Sequence, residues 1–458
     1  MSFFAVKKIH FVGIGGHGVS ALARLALALK MEVTGSDLER TAIVDELEKA
    51  GAKIWIGHSV EHITPDIEMV VHTAAAREFD NIELQQAEKI GLPIYSYFGA
   101  LGLISQERKT IAVSGTNGKT TTTLMLGKIL EANGFDPLII AGGNVEGQHG
   151  GGFRFGQGVF VVEACEAFGN FLSLTPDYLL ITNIEEDHLD FYKDLNDILE
   201  AFKKLTKQIK PGGFLLVNGD DAGVIQLLNK LSEERISIKK FGLQVEEEFL
   251  ATDVKADSQK QSFFLLNNQY NIQIPGLFNV YNSLAATAMA LSLGAEPAAI
   301  KPVLEDFQGS WRRFQVLGQY RQATIISDYG HHPAGVRGTI EAARQKYPGQ
   351  RIITVFHPHH KWRTRILFND FVQSFKQSDM VVLNEIWSAP GREPQEDNIS
   401  SADLVAELKK EGKKASYFGR DLQETEKILD EILQPRDIVL MMGAGYIYKL
   451  AEKLVKVE

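Results

Sequence analysis

The sequence predicts an α/β protein of three domains in series. Three observations predict it. A chain of 458 residues is too long for one core, because single domains stop growing at about 250 to 300 residues. Short apolar runs alternate with helical stretches through most of its length. Two glycine-rich turns each follow an apolar run and open a helix.

The first domain is expected over residues 1–108. Apolar runs KIHFVGIGG, MEVTGSD, KIWIG and MVVHTA are separated by the helical stretches ALARLALALK and VDELEKAG, the pattern of βαβ units on a parallel sheet. Gly13, Gly15 and Gly18 form GxGxxG between a strand and a helix, and Asp37 ends the next strand about twenty residues on. That is the Rossmann fingerprint, which seats a diphosphate at the helix N-terminus. The residues leave the ligand open. NAD with Asp37 on a ribose, another nucleotide diphosphate, and a ligand-free turn that only lets helix and strand pack closely all satisfy it.

The second domain, 109–314, opens with Ile111 to Thr123, IAVSGTNGKTTTT. An apolar run breaks into a glycine turn carrying Lys119 and Thr120. Backbone N–H groups around Gly115, Thr116, Asn117 and Gly118 suit phosphate oxygens, Lys119 reaches the β and γ phosphates, and the Thr120 hydroxyl suits Mg²⁺. The expected ligand is ATP with Mg²⁺. The spacing GxxGKT is shorter than GxxxxGK[ST], since Val113 stands two residues before Gly115, and a plain strand-to-helix turn with a solvated lysine is the competing reading. VFVVEACEA and YLLITNIEEDH read as further strands ending in polar groups, so the sheet is of the P-loop ATPase kind. Glu163 and His188 fall at those ends, and with Thr120 they make a plausible Mg²⁺ set of hard oxygens and one imidazole, with helix capping the other reading of His188. Glu185, Glu186, Asp187 and Asp190 read as a solvated face or helix-start charge. The polar stretch 243–273 reads as a small antiparallel insertion, and IPGLFNVYNSLAATAMALSLG as a turn into a helix.

The third domain, 315–458, repeats the Rossmann-like alternation with strands ATIISDYG, RIITVFHP, MVVLNEI and DIVLMMGAG. Asp328, Tyr329 and His331 end the first of these, where they suit a nucleotide, and His332 beside a proline reads as structural. Arg312 and Arg313, at the expected hinge, offer guanidinium groups to a transferring phosphoryl group, with solvation of a linker as the alternative. His357 to Arg365, HPHHKWRTR, gathers imidazoles and guanidiniums. It lacks HExxH and any cysteine partner, so anchoring a small carboxylate with Arg363 is the better reading than zinc.

Composition narrows the classes. With a formal net charge of −10 and no lysine or arginine block, the field of the whole chain does not favour nucleic acid or an anionic membrane. Cys165 is the only cysteine, which excludes an internal disulfide and any CxxC site and fits a reducing compartment. The N-terminus has no apolar segment before a cleavage site, and no apolar run approaches about 18 residues, so a soluble, cytoplasmic protein is expected.

Taken in order, the motifs resemble the Mur ligase family nearly end to end: HFVGIGGHGVSALA and GSDL, then GTNGKTTTT, EACE and TNIEEDHLD, then PGLFNVYNSLAA, FQGSWRRFQVLG, DYGHHP, FHPHHKWRTRILFNDF and MMGAG. The resemblance is to the alanine-adding branch. It implies that the first domain holds a UDP-sugar and not NAD, through Gly13, Gly15, Gly16, His17, Gly18, Ser36, Asp37, Thr73 and Ala74. It implies an ATP-dependent ligase in which the lactyl carboxylate of UDP-N-acetylmuramate attacks the γ-phosphate and the resulting acyl phosphate is taken by L-alanine. ATP contacts fall on Gly115 to Thr121, Asn282, Arg313, Asp328, Tyr329 and His331. Mg²⁺ falls on Thr120 and Glu163, with a second ion at His188, while Lys119 and Arg313 steady the phosphates. The small amino acid falls at His359 and Arg363, domain closure assembles the site, and a monomer or weak homodimer is expected.

The chain also departs from the family pattern. Several relatives carbamylate a lysine where Phe202 falls here, which agrees with the alanine-adding branch. EADESDGSF appears as EACEAFGNF, PGRHN as PGLFN, and FQPHRYSRT as FHPHHKWRT, so Cys165, Ala167, Phe168, Phe278 and His360 replace polar or basic residues, and the arginine usual after the first domain's last strand is replaced within Tyr95 to Phe98. Two further readings follow: a recycling relative that attaches an intact tripeptide, and a noncatalytic nucleotide-binding homologue.

Overall fold

Runs such as FLLVN, IITVF, MVVLN and IVLMM are apolar on both faces, which suits strands of a parallel sheet covered by helices on each side. In the computed structural model all four are buried along their whole length. The structure describes residues 1–73, 76, 80–143, 152–232, 236–246, 248–388, 398–413 and 416–456. Among these residues the strands form four sheets, and the chain divides into two compact units.

The first unit comprises Met1–Glu185, Leu195–Leu250 and Leu284–Val303. Its five-stranded parallel sheet has the spatial order Lys53–Ile56, Glu32–Asp37, Lys8–Val12, Met69–His72, Ile94–Ser96. The sequence order reverses between Lys8–Val12 and Met69–His72, and such a reversal leaves a crevice at the carboxyl ends of the two strands. Gly13 and Thr73 follow those strands and meet there. Gly13 has φ of 76°, and a Cβ on it would lie 2.5 Å from Thr73 Cγ2, so both conformation and space demand glycine.

The unit's second sheet runs Phe249–Leu250, Ser237–Gly242, Phe214–Asn218, Tyr178–Ile181, Thr110–Ser114, Phe160–Glu163, Leu138–Ile140, Phe153–Arg154. Its pairs are parallel except for the last. Thr110–Ser114 lies between Tyr178–Ile181 and Phe160–Glu163, so the loop that follows it is flanked by both neighbours' carboxyl ends.

The second unit comprises Glu186–Asp194, Ala251–Ser283 and Leu304–Glu458. It holds an antiparallel sheet of Thr252–Ala256, Gln261–Leu265 and Asn268–Ile272, the insertion expected within 243–273. Its six-stranded sheet has the order Gln315–Tyr320, Ala323–Asp328, Ile438–Met442, Ile352–Phe356, Met380–Asn384, Ser416–Gly419, with only the first pair antiparallel. Successive strand residues face opposite ways. Accordingly Ile326, Phe356 and Leu440 pack into one core with Val336, Ile340 and Phe371, while Ile325, Val355 and Val439 pack into another with Ile447 and Leu450. No helix among the described residues is long and apolar enough to cross a membrane.

Candidate active site

The phosphate loop is built by backbone conformation before any side chain acts. Gly115 takes φ of 128°, and a Cβ there would collide with Thr182 Oγ1 and lie 2.8 Å from Asn183 O. The loop is pinned to the segment after Tyr178–Ile181. Thr116 N donates to Asn183 O (3.0 Å), Asn117 N to Asn183 Oδ1 (2.8 Å), and Thr182 Oγ1 to Asn117 O (2.6 Å). Gly118, at φ of 84°, then starts the helix Lys119–Ala132, which no side chain caps. An uncapped helix start presents N–H groups and a positive dipole end to an anion. Gly115→Ala is expected to cost roughly 1–3 kcal/mol of stability and to weaken ATP binding. Thermal melts paired with ATP titration check this, and an unchanged affinity would show that the turn's conformation is not what receives the nucleotide.

Lys119 Nζ donates to Gly115 O (2.5 Å) and Thr116 O (3.1 Å) and pairs with the buried Glu166 carboxylate at 2.9 Å. Burial alone would lower its pKa, but Glu166, Cys165 and Glu163 outweigh burial and raise it, so the ammonium stays charged. Thr120, the next residue, donates from Oγ1 to Glu163 Oε2 at 2.9 Å, and Gly142 N donates to the same oxygen at 2.6 Å. A hydroxyl and a carboxylate held together at a phosphate-type helix start are hard oxygen donors, and they fit a magnesium ion that takes its remaining ligands from phosphate and water. Among the described residues no group of three or more His, Cys, Asp or Glu is placed to hold a metal ion. Thr121 is buried in the same first turn. Burial pushes the Cys165 thiol up to about 12, with Glu166 adding to the rise, which disfavours the thiolate.

In the first sheet's crevice the glycine turn is fastened to the end of Glu32–Asp37. Gly13 N and Ile14 N donate to Ser36 O at 2.8 and 3.1 Å, Gly15 N to Asp37 Oδ2 at 2.8 Å, and Gly16 N to Gly13 O at 3.2 Å. Asp37, expected on the ligand, also ties the turn through this bond. Gly16 begins the helix His17–Ala28, also without a side-chain cap. At Gly18 a Cβ would sit 2.9 Å from the Tyr97 ring, so this glycine admits an aromatic ring against the helix. A cavity lined by His17, Ser20, Arg24, Gly142, Gly143 and Phe153 extends from this helix start to the segment that touches Glu163. Thr73 accepts at its carbonyl from His72 Nδ1 (2.8 Å). Ala74 lies outside the described residues.

The second unit gathers the remaining expected residues. Arg363, nearly buried, donates from Nη2 to Asp187 Oδ1 at 2.8 Å, while its Nε and Nη1 have no hydrogen-bond partner among the described residues. Asp187 is buried too, which corrects its reading as solvated charge. Burial raises its pKa, but Arg363 and then His188, His331 and His332 hold the carboxyl well below the usual range. His188, at φ of 53°, donates from its backbone N to Asp187 Oδ1 (2.8 Å), and its Nε2 lies 3.9 Å from Oδ2. His359 stacks on Trp387 with ring centroids 4.8 Å apart and packs against His360 at 3.8 Å. Its Nδ1 has no partner among the described residues.

Arg312 and Arg313 divide their work. Arg312 is buried, and its Nη2 donates to the carbonyls of Gly443 and Gly445, so it holds the fold. Arg313 instead lies over the Tyr329 ring at 4.9 Å. Tyr329 packs edge-on against His331 at 5.2 Å. Asp328 accepts from Phe314 N (2.8 Å) and Gly330 N (2.6 Å), fixing the turn that carries Tyr329 and His331. Asn282 is buried and donates to Asn279 Oδ1 at 3.1 Å.

Burial keeps several imidazoles of this unit neutral: His357 is pushed down to about 4 and His331 to about 3, and His332 is also lowered. Unfolded histidines bind protons near pH ~6.5 that the folded ones refuse, so this stability is full above that pH and is lost as pH falls toward the folded values. For His357 alone the slope reaches about 1.4 kcal/mol per pH unit, and His332 adds to it in the same direction. Melting temperature is expected to drop steeply between about pH 6.5 and 4. A flat profile there would show that these rings titrate as if exposed.

Sequence reasoning missed Glu166 and Asp187. The first had a signal, a second carboxylate three residues after Glu163 in EACE. The second had none, since its guanidinium partner lies 176 residues away.

Comparison with known proteins gives three matches in chain order: Mur ligase family, catalytic domain, over residues 8–109; Mur ligase middle domain, over 113–290; and Mur ligase, glutamate ligase domain, over 312–445. A UDP-N-acetylmuramate–L-alanine ligase of Alkaliphilus metalliredigens is 39% identical over 98% of this chain and 97% of its own length. One of Caldanaerobacter subterraneus subsp. tengcongensis is 36% identical over 98% and 97%. Among solved structures, UDP-N-acetylmuramate-alanine ligase MurC of Thermotoga maritima has a TM-score of 0.80 at 28% identity, covering 98% of both chains. A murein peptide ligase of Psychrobacter arcticus, with a TM-score of 0.70 at 24% identity, shares the fold.

Proposed function

This chain belongs to the Mur ligase family, and from that premise we propose that it is an ATP-dependent ligase of peptidoglycan synthesis, joining the lactyl carboxylate of UDP-N-acetylmuramate to L-alanine. The observation that carries the reading is the loop in which Lys119 and the Thr120–Glu163 pair, 2.9 Å apart, sit together at an uncapped helix start.

The chemistry runs in two steps. A carboxylate oxygen of the substrate attacks the γ-phosphorus of ATP, the bond to the β-phosphate oxygen breaks, and ADP leaves an acyl phosphate behind. The amine of L-alanine then attacks the acyl carbon, inorganic phosphate departs with the C–O electron pair, and the nitrogen gives up a proton. Such phosphoryl transfer depends mainly on positioning and charge neutralisation. Gly115 to Thr121 cradle the phosphates, Lys119 moves from Glu166 to phosphate oxygen, and Arg313 steadies the γ-phosphoryl group. Thr120 and Glu163 would hold one Mg²⁺ and His188 a second, and the ions would neutralise phosphate charge. Asn282, Asp328, Tyr329 and His331 serve the nucleotide. Arg363, with two donors unused among the described residues, takes the amino acid's carboxylate, and His359, whose pKa burial holds well below the usual imidazole range, adds no charge to repel its ammonium.

The sugar nucleotide's diphosphate is assigned to the helix start at Gly13, Gly15, Gly16, His17 and Gly18, with Ser36, Asp37, Thr73 and Ala74 around it. We assign these tasks to three functional segments, 1–108, 109–314 and 315–458. Phosphate release from ATP and Mg²⁺ with UDP-N-acetylmuramate tests the function against L-alanine, glycine, L-serine and the cell-wall tripeptide. Release with L-alanine is expected. Release with the tripeptide alone would move the chain to the recycling activity, and silence with every acceptor would overturn the ligase.

A further inference from the structure

Behind the glycine turn lies a carboxylate that the reaction does not use. Glu83, at the start of the helix Ile82–Lys89, is fully buried. Its Oε1 accepts from Ser59 N (3.2 Å) and lies 2.6 Å from His62 Nδ1. Its Oε2 accepts from Ser36 Oγ at 2.5 Å, with His58 Nδ1 at 3.4 Å and His10 Nε2 at 3.5 Å. Three imidazoles, a hydroxyl and a backbone amide thus converge on one acid. His10 is fully buried, whereas His58 and His62 keep some exposure, and the His62 ring stacks on Trp55 at 4.3 Å. Burial would raise the Glu83 pKa, but the donors led by His10 and Ser36 lower it to about 2, so the group is an anion.

A buried ionic cluster is weak evidence for stability, because well-packed apolar residues of the same volume usually serve as well. Its placement is more informative. Ser36, which donates to Glu83, is the residue whose carbonyl receives Gly13 N and Ile14 N, and the next residue, Asp37, receives Gly15 N.

We propose that Glu83 is a positioning residue: through Ser36 it holds the end of strand Glu32–Asp37, and with it the Gly13–Gly16 turn, in the geometry that receives the sugar nucleotide's diphosphate. The ligand half of this inference rests on the function proposed above; the turn-holding half does not. Two measurements keep them separate.

Hydrogen exchange of the 13–16 amides in the ligand-free protein reads the turn alone. Glu83→Gln keeps the shape but removes the charge and one acceptor. Exchange in that turn is expected to accelerate about ten-fold while the phosphate loop at 115–120 is unchanged. Affinity for UDP-N-acetylmuramate is expected to fall about ten-fold, with ATP affinity within about two-fold of the parent. Because Glu83 acts through Ser36, adding Glu83→Gln to Ser36→Ala weakens binding no further than Ser36→Ala alone.

Unchanged exchange in the turn overturns the proposal, as does a lowered melting temperature with sugar-nucleotide affinity intact, or equal acceleration everywhere. If the parent protein itself binds no UDP-N-acetylmuramate, the functional reading fails and the exchange data still decide the role of Glu83. Should Glu83→Gln not fold, His62→Gln, altering a partly exposed ring bonded to the other oxygen of the same carboxylate, Oε1, loosens the carboxylate that Ser36 holds, with the same acceleration expected and its absence decisive against the proposal.

Discussion

Lys119→Ala is expected to lower ligation by about 10³-fold or more, the scale seen when a group that neutralises developing charge is removed from a pre-organised site. The physical reason is in the loop. Lys119 is the cation held among Gly115 O, Thr116 O and Glu166, and it stays charged although largely enclosed. Removing it leaves the Glu166 carboxylate buried without its cation, a fault worth several kcal/mol in its own right. The informative pair is therefore Lys119→Ala alone and with Glu166→Gln. The second change removes the stranded charge, so folding recovers while turnover does not. Phosphate release, thermal melts and far-UV circular dichroism together check this. Ligation at the parent rate by a folded Lys119→Ala protein would sink the phosphate-loop assignment.

Arg363→Ala is expected to have two separable effects. Stability falls by roughly 3–5 kcal/mol, because Asp187 remains buried at the end of a broken 2.8 Å pair. KM for L-alanine rises about 100-fold, because the two guanidinium nitrogens without a partner among the described residues are those left for the substrate carboxylate. Asp187→Leu combined with Arg363→Met separates the two, since an apolar pair of similar bulk restores packing without restoring the anchor. The double variant should melt close to the parent and still fail to use L-alanine, with KM for ATP within about three-fold. A parent-like KM for L-alanine in either variant would remove Arg363 from the amino-acid site.

Much of this was legible in the residues. Glycine at 13, 115 and 118 is demanded by positive φ, and lysine with threonine after such a turn has few uses other than phosphate and Mg²⁺. The apolar runs announced the central strands, and the polar stretch 243–273 announced the antiparallel sheet. Short strands such as Leu138–Ile140 and Ser416–Gly419 went unread, whereas the four-residue Lys53–Ile56 and Met69–His72 were read from the alternation of apolar and helical stretches around them. Phe202, where some relatives carry a carbamylated lysine, is fully buried with its ring 5.1 Å from Phe171 and leaves an apolar core instead.

The sequence by itself determined the α/β alternation, the two diphosphate-type turns and the residue types available for ATP, Mg²⁺ and a small carboxylate. Those depend on local periodicity and on backbone conformations that particular residues alone adopt. Only the tertiary structure decided which charge meets which: that Asp187 belongs to Arg363, that Arg312 is taken up by the Gly443 and Gly445 carbonyls while Arg313 lies over Tyr329, and that Glu83 stands behind Ser36. The strength of a charge pair depends on the burial of both partners, and burial is a property of the packed chain that neither residue's local sequence carries.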